Sequence, residues 1–257
     1  MMLIFDIGNT HTNVGLGNGR RILKDFHFPT CDWKETSTPE LIGEFQGSHK
    51  VDLVAFASVQ PKADRHIRRL ATRILRVPLF ELNAETASLA GLKIDYPNPA
   101  TIGADRLANA IAARKAFGAP VVVVDFGTAV TFDVVDKRGC YAGGIIAPGL
   151  NAMTDYLHDK TALLPRIEIR ETRKVVGKST TEAMLIGAVK GYRGMIHRLI
   201  EELETTLKAP ALPVIATGGY ARLIAKGVPR IKKVAPLLTL EGIRLAALSK
   251  QSRESAS

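Results

Sequence analysis

Met2-Leu3-Ile4-Phe5-Asp6-Ile7-Gly8-Asn9-Thr10 opens the chain, and Val121-Val122-Val123-Val124-Asp125-Phe126-Gly127-Thr128-Ala129 repeats its pattern near the middle. Each copy is a short apolar run, then Asp-x-Gly, then small hydroxyl or amide residues. The apolar run predicts a buried strand. An Asp-x-Gly turn leaving such a strand sets a carboxylate beside backbone N–H groups that no Cβ shields. Two such turns in one chain suggest two halves facing each other across a phosphate-binding cleft.

The surroundings of the two copies match as well. After the first, 12–16 and 21–28 flank Gly17-Asn18-Gly19-Arg20, which predicts a hairpin. A short helix over 38–46, a strand over 51–57, a helix over 62–75, a strand over 79–82, a segment over 92–96 and a helix over 104–115 follow. After the second, 130–135 and 140–146 flank Asp136-Lys137-Arg138-Gly139. A Pro148-Gly149 break, a long helix over 180–207, a strand at 214–217, a short helix after Gly218-Gly219, a strand at 231–234, and a last helix over 240–249 complete the pattern. Ser179 to Glu182 fits a capping box. The expectation is a duplicated α/β fold with a mixed sheet in each half, divided as 1–117 and 118–257, with a polar tail after Gln251.

Composition is that of an ordinary globular protein: 257 residues, 46% hydrophobic and 23% charged. No apolar run approaches the roughly 18–20 residues of a membrane span, and Asp6 interrupts the N-terminal run. Both features argue against membrane association or export. The two cysteines, Cys31 and Cys140, lack partners at metal-ligand spacing and read as buried small residues of a cytoplasmic protein. The net charge of +10 attracts anions. Its densest stretch, from Arg65 to Arg76, reads as the solvated face of an amphipathic helix. Without aromatic interleaving or a helix-turn-helix pattern, it argues against specific nucleic-acid binding.

In 6–13, Gly8 lets backbone approach a phosphate, Asn9 and Thr10 supply donors, and Asp6 is suited to Mg²⁺, directly or through water. A plain strand-to-hairpin turn would use the same residue types. Turn chemistry alone does not demand Asp-x-Gly after both buried strands, so the second copy favours phosphate.

Paired Asp-x-Gly turns in a duplicated α/β chain resemble the superfamily of acetate and sugar kinases, heat-shock ATPases and actin, built from two ribonuclease H-like domains. Within it the chain resembles the type III pantothenate kinases. The residues that carry this are DIGNT at 6–10, YPNPATIGADR at 96–106, DFGTAVTFD at 125–133 and GGIIAPGL at 143–150. GKSTTEAM at 177–184, TGGYA at 217–221 and LTLEGI at 238–243 complete the set.

The resemblance implies ATP-dependent phosphorylation of pantothenate to 4′-phosphopantothenate, the first step of coenzyme A synthesis. It implies ATP binding by Asp6, Ile7, Gly8, Asn9, Thr10, His11, Thr12 and Asn13, with Thr128 as a further contact. It makes Asp105 the catalytic base and places pantothenate against Tyr96, Gly103, Ala104, Asp105, Arg106 and Thr180. It assigns Asp125 to a monovalent cation, K⁺ or NH₄⁺, and implies a homodimer. Each residue has a plainer reading. Asp105 suits a helix N-terminus, Arg106 suits an ion pair, Tyr96 suits packing, and Thr180 suits a helix start. Asp125 equally suits Mg²⁺ or a structural hydrogen bond. Tyr220, after the glycines at 218–219, either stacks on adenine or narrows the pocket. Two rivals stand beside the pantothenate reading: a kinase of another small alcohol or sugar, and a nucleotide-binding regulator without catalysis.

Overall fold

The computed structural model describes residues 1–35 and 37–254, and the side chains of Arg253 and Glu254 are outside that description. The chain divides into two compact units. One holds Met1–Ala116, Gly139–Ala142 and Leu237–Ser257; the other holds Phe117–Arg138 and Gly143–Pro236.

The first unit is organised on β1 (Met2–Ile7), β2 (His11–Gly17), β3 (Ile22–Pro29), β4 (Leu53–Ser58) and β5 (Leu79–Glu81), in the order β3-β2-β1-β4-β5. β1 runs antiparallel to β2 and parallel to β4. Its central place explains its unbroken apolar sequence, because both faces are covered. Leu3, Phe5 and Ile7 join Val14, Phe28, Trp33, Ile42, Phe56 and Ile67 in one core. That core is closed by α1 (Thr38–Gln46) and α2 (Pro61–Arg69), the latter continued by a π-helical turn over Leu70–Leu75.

α9 (Leu238–Glu254) packs against β1, β2 and β4. It crosses α4 (Ala104–Phe117) at Gly242, where any side chain would strike the Ala108 carbonyl. This last helix therefore groups with the first unit, although the sequence division assigns 118–257 to the second repeat. It also starts earlier and ends later than expected, and takes in residues 252–254 of the anticipated polar tail. Residues 255–257 of that tail lie outside the described residues.

The second unit repeats the plan with β7 (Val121–Phe126), β8 (Ala129–Val135), residues 143–148 of β9 (Cys140–Pro148), β10 (Val214–Thr217) and β11 (Ile231–Val234). Their order is β9-β8-β7-β10-β11. Again the Asp-x-Gly strand is central, antiparallel to its hairpin partner and parallel to the strand after the long helix. The same order twice, with each central strand antiparallel to its hairpin partner and parallel to its other neighbour, is the ribonuclease H-like arrangement. Val121 to Val124 are fully buried; each contributes roughly 1.5–3 kcal/mol by leaving water. Against Val122 and Val124, on one face of the strand, pack Tyr192, Ile196 and Ile200, at helical spacing along α7 (Tyr192–Thr206). The expected helix over 180–207 is one helical run. α6 (Thr180–Ile186) passes into α7 through a π-type turn over Gly187–Gly191.

Two helices were not anticipated. α3 (Ala84–Leu89) is six residues long and starts in a capping box between Asn83 and Thr86. α5 (Leu150–Lys160) follows directly on Pro148-Gly149, because Gly149 is its N-cap. The segment over 92–96 reduces to β6 (Lys93–Ile94), which pairs in parallel with Cys140 and Tyr141. Cys140 is buried as expected, whereas Cys31 is exposed beside Asp32, and neither is in a disulfide. Among the described residues no helix is long and apolar enough to cross a membrane.

Candidate active site

In the first unit the turn at Asp6–Asn13 lies at the C-terminal end of β1. Gly8 N–H donates to the His11 carbonyl at 3.0 Å, closing a loop of Asn9 and Thr10. A Cβ on Gly8 would come within 2.9 Å of that same carbonyl, so the glycine is sterically required. Asn9, Thr10 and His11 are exposed, and Gly8 is half-buried. Ile7 and Thr12, by contrast, are fully buried. The Thr12 hydroxyl faces Thr30 at 3.1 Å and accepts from the Trp33 indole at 3.0 Å, inside the core. Asn13 Nδ2 donates to Asp6 Oδ2 at 2.9 Å, which fixes the carboxylate at the mouth of the turn.

The Gly-Ala-Asp-Arg segment reaches the same edge of the same sheet. Val59, next after β4, donates its N–H to Ile7 at 3.0 Å. A Cβ on Gly103 would lie 3.5 Å from Val59 Cγ1 and 2.5 Å from an Asp105 oxygen. Thus Asp6, the Gly8 turn and Asp105 are gathered by the ends of two adjacent parallel strands, which is where α/β folds bind ligands. Asp105 is in the first turn of α4 and accepts the Arg106 N–H at 2.8 Å. Burial pushes its carboxyl above the ordinary carboxylate range; the Arg106 N–H and charge offset this only in part. A base of ordinary pKa would suffice for late proton transfer, but the site builds a stronger one.

Arg106 has its guanidinium over the Tyr141 ring at 5.9 Å. Tyr141 meets the half-exposed ring of Tyr96 edge-on, at 6.4 Å. Tyr141 is the residue that the motifs missed. It follows an ordinary turn in the sequence, and only its pairing with Ile94 brings it beside Tyr96.

In the second unit Asp125, the last residue but one of β7, lies opposite Thr217 of β10. Gly218 has φ of +88°, and a Cβ there would stand 2.6 Å from Asp125 Oδ1 and 2.7 Å from Phe126 backbone. Gly149 is equally confined, since a side chain would strike the Thr128 and Gly127 carbonyls. The Asp-Phe-Gly-Thr turn, the Thr-Gly-Gly turn and the start of α5 therefore converge on one spot of that unit. Tyr220 donates its hydroxyl to Asn151 Oδ1 at 2.6 Å, so its outer end is tied to α5.

Thr180 is exposed at the first position of α6. Ser179 caps that helix by accepting the Glu182 N–H at 3.2 Å. The Glu182 carboxylate accepts the Lys178 N–H at 2.9 Å and pairs with Lys174, so the capping box is one-sided.

A family model described as type III pantothenate kinase matches residues 2–202. The chain belongs to this family. Type III pantothenate kinases of Akkermansia muciniphila and Methylacidiphilum infernorum are similar to it at 44% and 42% identity. Each alignment spans 95% of this chain, and 97% and 87% of those relatives. Among solved structures, a Campylobacter jejuni protein described as a Baf family transcriptional activator superposes with a TM-score of 0.62. It has 19% identity and covers 97% of this chain and 99% of its own. An activator of 2-hydroxyisocaproyl-CoA dehydratase from Clostridium difficile, solved with ADPNP, gives 0.51 at 14% identity, covering 100% and 98%. At those identities the two structures support the fold alone.

For a type III pantothenate kinase the donor set is chemically apt. Kinases generally take ATP as its magnesium complex. Mg²⁺ usually keeps waters and binds through one or two carboxylates plus the phosphates. Asp6, held by Asn13 and half-buried, suits that mode. Among the described residues no three His, Cys, Asp or Glu side chains form a metal cluster, and Mg²⁺ held against phosphates needs none.

Proposed function

We propose that this chain phosphorylates pantothenate at its primary hydroxyl, using ATP and giving 4′-phosphopantothenate and ADP, the first step of coenzyme A synthesis. The observation that carries this reading is Asp105. It is a half-buried carboxylate whose pKa desolvation raises, set beside the Asp6–Asn13 turn by the ends of adjacent strands, in a chain of the pantothenate kinase family.

Asn9, Thr10, His11 and the backbone N–H groups of Asn9 and Thr10 bind the ATP phosphates, and Gly8 gives them access. Ile7 and Thr12 contribute through backbone and support, since their side chains are enclosed. Asp6 holds Mg²⁺, directly or through water, which when bound draws charge from the phosphates. Thr128 makes a further ATP contact. Asp125 serves K⁺ or NH₄⁺, with its carboxylate held close against the Gly218 backbone.

Pantothenate lies against Tyr96 and Gly103 to Arg106, with Thr180 as a polar contact. Its carboxylate, at the end opposite the reactive hydroxyl, suits the forked guanidinium of Arg106. The hydroxyl oxygen attacks the γ-phosphorus, the bond to the β–γ bridging oxygen breaks, and ADP departs. Asp105 takes the hydroxyl proton as the new bond forms. Positioning and charge neutralisation supply most of the acceleration.

The protein acts as a homodimer in the cytoplasm. Support for the dimer comes from α5, where Met153, Tyr156 and Leu157 share one exposed face at i, i+3 and i+4, Tyr156 being 64% exposed. An apolar helix face of that kind suits a second copy better than water. The two free cysteines are in keeping with a reducing compartment. The experiment that tests the function is a substrate panel with and without K⁺. Pantothenate turnover that requires K⁺ supports it, and phosphorylation of sugars in preference to pantothenate refutes it.

A further inference from the structure

Four groups form a directed hydrogen-bond chain behind the exposed loop of the first unit. Thr30 Oγ1 donates to the Gly8 carbonyl at 2.8 Å, since a carbonyl can only accept. Its proton is thereby committed, so at the 3.1 Å contact the Thr12 hydroxyl is the donor and Thr30 the acceptor. Thr12 in turn accepts the indole N–H of Trp33 at 3.0 Å. Thr30 also gives its backbone N–H to the Thr10 carbonyl at 2.9 Å. Trp33 is 5% exposed and packed between Phe5 and Phe28, with ring centroids at 5.9 and 5.3 Å.

The chain ends on the peptide that matters. In a trans peptide the carbonyl and the next N–H point in opposite directions. Drawing the Gly8 carbonyl inward to Thr30 turns the Asn9 N–H outward, to the side of the exposed loop residues. The loop is not a primed turn. Two-residue hairpins favour primed turns with positive φ, and none of Gly8, Asn9 and Thr10 is among the described residues with positive φ. Thr30 pins the loop from outside, through its hydroxyl to Gly8 and its N–H to Thr10.

We propose that Thr30, Thr12 and Trp33 are positioning residues for the ATP phosphates, acting through the Gly8–Asn9 peptide. The assignment rests on the reading of this turn as the ATP site. It has a spectroscopic consequence. Trp33 is the chain's single tryptophan, so emission excited beyond the tyrosine absorption band comes from the far end of the relay.

The test compares wild type with Thr30→Val, Thr30→Ser and Thr12→Val, each checked for folding by thermal melt. KM for ATP, KM for pantothenate and Trp33 emission during Mg·ADP titration are measured. Thr30→Val is expected to raise the ATP KM about five- to tenfold, the worth of one hydrogen bond. The pantothenate KM should stay within about twofold, and Thr30→Ser should restore the wild-type value. Mg·ADP is expected to change Trp33 emission in wild type, with the amplitude at least halved in Thr12→Val. An unchanged ATP KM in Thr30→Val, or equal rises for both substrates, overturns the proposal, as does emission insensitive to Mg·ADP that calorimetry shows to be bound. Absence of pantothenate-dependent ADP release from wild type would instead overturn the functional reading, so the two failures are distinct.

Discussion

Gly218 and Asp125 are packed so closely that a single added carbon at position 218 would stand 2.6 Å from the Asp125 carboxylate oxygen. With φ at +88°, the glycine also occupies a backbone region that other residues rarely adopt. The pairing joins the ends of two neighbouring parallel strands, one carrying the proposed cation ligand and the other the Thr-Gly-Gly turn. Gly218→Ala should therefore cost about 1–3 kcal/mol and displace Asp125. Thermal melts, together with the K⁺ concentration for half-maximal activity, check this; unchanged values of both would remove Gly218 from the account.

Asp105→Asn should make the protein more stable at neutral pH. Burial raises the Asp105 pKa in the folded state, so between its unfolded and folded values the native state binds more protons than the unfolded one. Stability contributed by this group then falls as pH rises through that window. Asparagine, neutral and still able to accept the Arg106 N–H, avoids the penalty. The gain should appear at pH 7 and vanish below the ordinary aspartate pKa, where both states are protonated. Melting curves of the two proteins at both pH values decide it.

The same raised pKa fixes the acid limb of the rate profile. With Asp105 as base, kcat/KM for pantothenate should fall on acidification with an apparent pKa above the ordinary carboxylate range. A pH profile that stays flat down to the usual carboxylate range contradicts the assignment.

How much of this was legible in the sequence depends on how local the cause is. The central strands were plain because burial on both faces forces an unbroken apolar run, and the Asp-x-Gly turns mark where each strand stops. α5 was hidden because Pro148-Gly149 has the composition of a break, whereas Gly149 begins a helix pressed onto the 127–128 carbonyls. Tyr141 and the relay behind Gly8 were hidden because strand pairing creates them. Thr12 and Trp33 are twenty-one positions apart, and no spacing rule joins them. Thr12 shows the limit from the other side. Its place in the motif suggests an ATP contact, yet its side chain points into the core.

Arg106→Ala should raise the KM for pantothenate by at least about tenfold, the worth of a charge-assisted pair, and leave the KM for ATP nearly unaltered. Arg106→Lys should recover little, because an ammonium lacks the fork and would sit differently over Tyr141. Initial-rate measurements varying each substrate separate the two constants. A rise confined to ATP would reassign the residue.

Tyr156→Glu on the exposed face of α5 should weaken self-association without unfolding the chain, since Tyr156 is exposed in the single chain. Sedimentation or light scattering across a dilution series checks this. A monomer in the unsubstituted protein, or a dimer indifferent to the charge, removes α5 from the interface.

The most direct test of the central claim is ADP release, with and without pantothenate, by the unsubstituted chain and by Asp105→Asn. The account predicts pantothenate-dependent release that drops by about a hundred- to ten-thousandfold in the variant, while calorimetry still finds both substrates bound. Pantothenate-independent release, or a variant turning over near the wild-type rate, would contradict it.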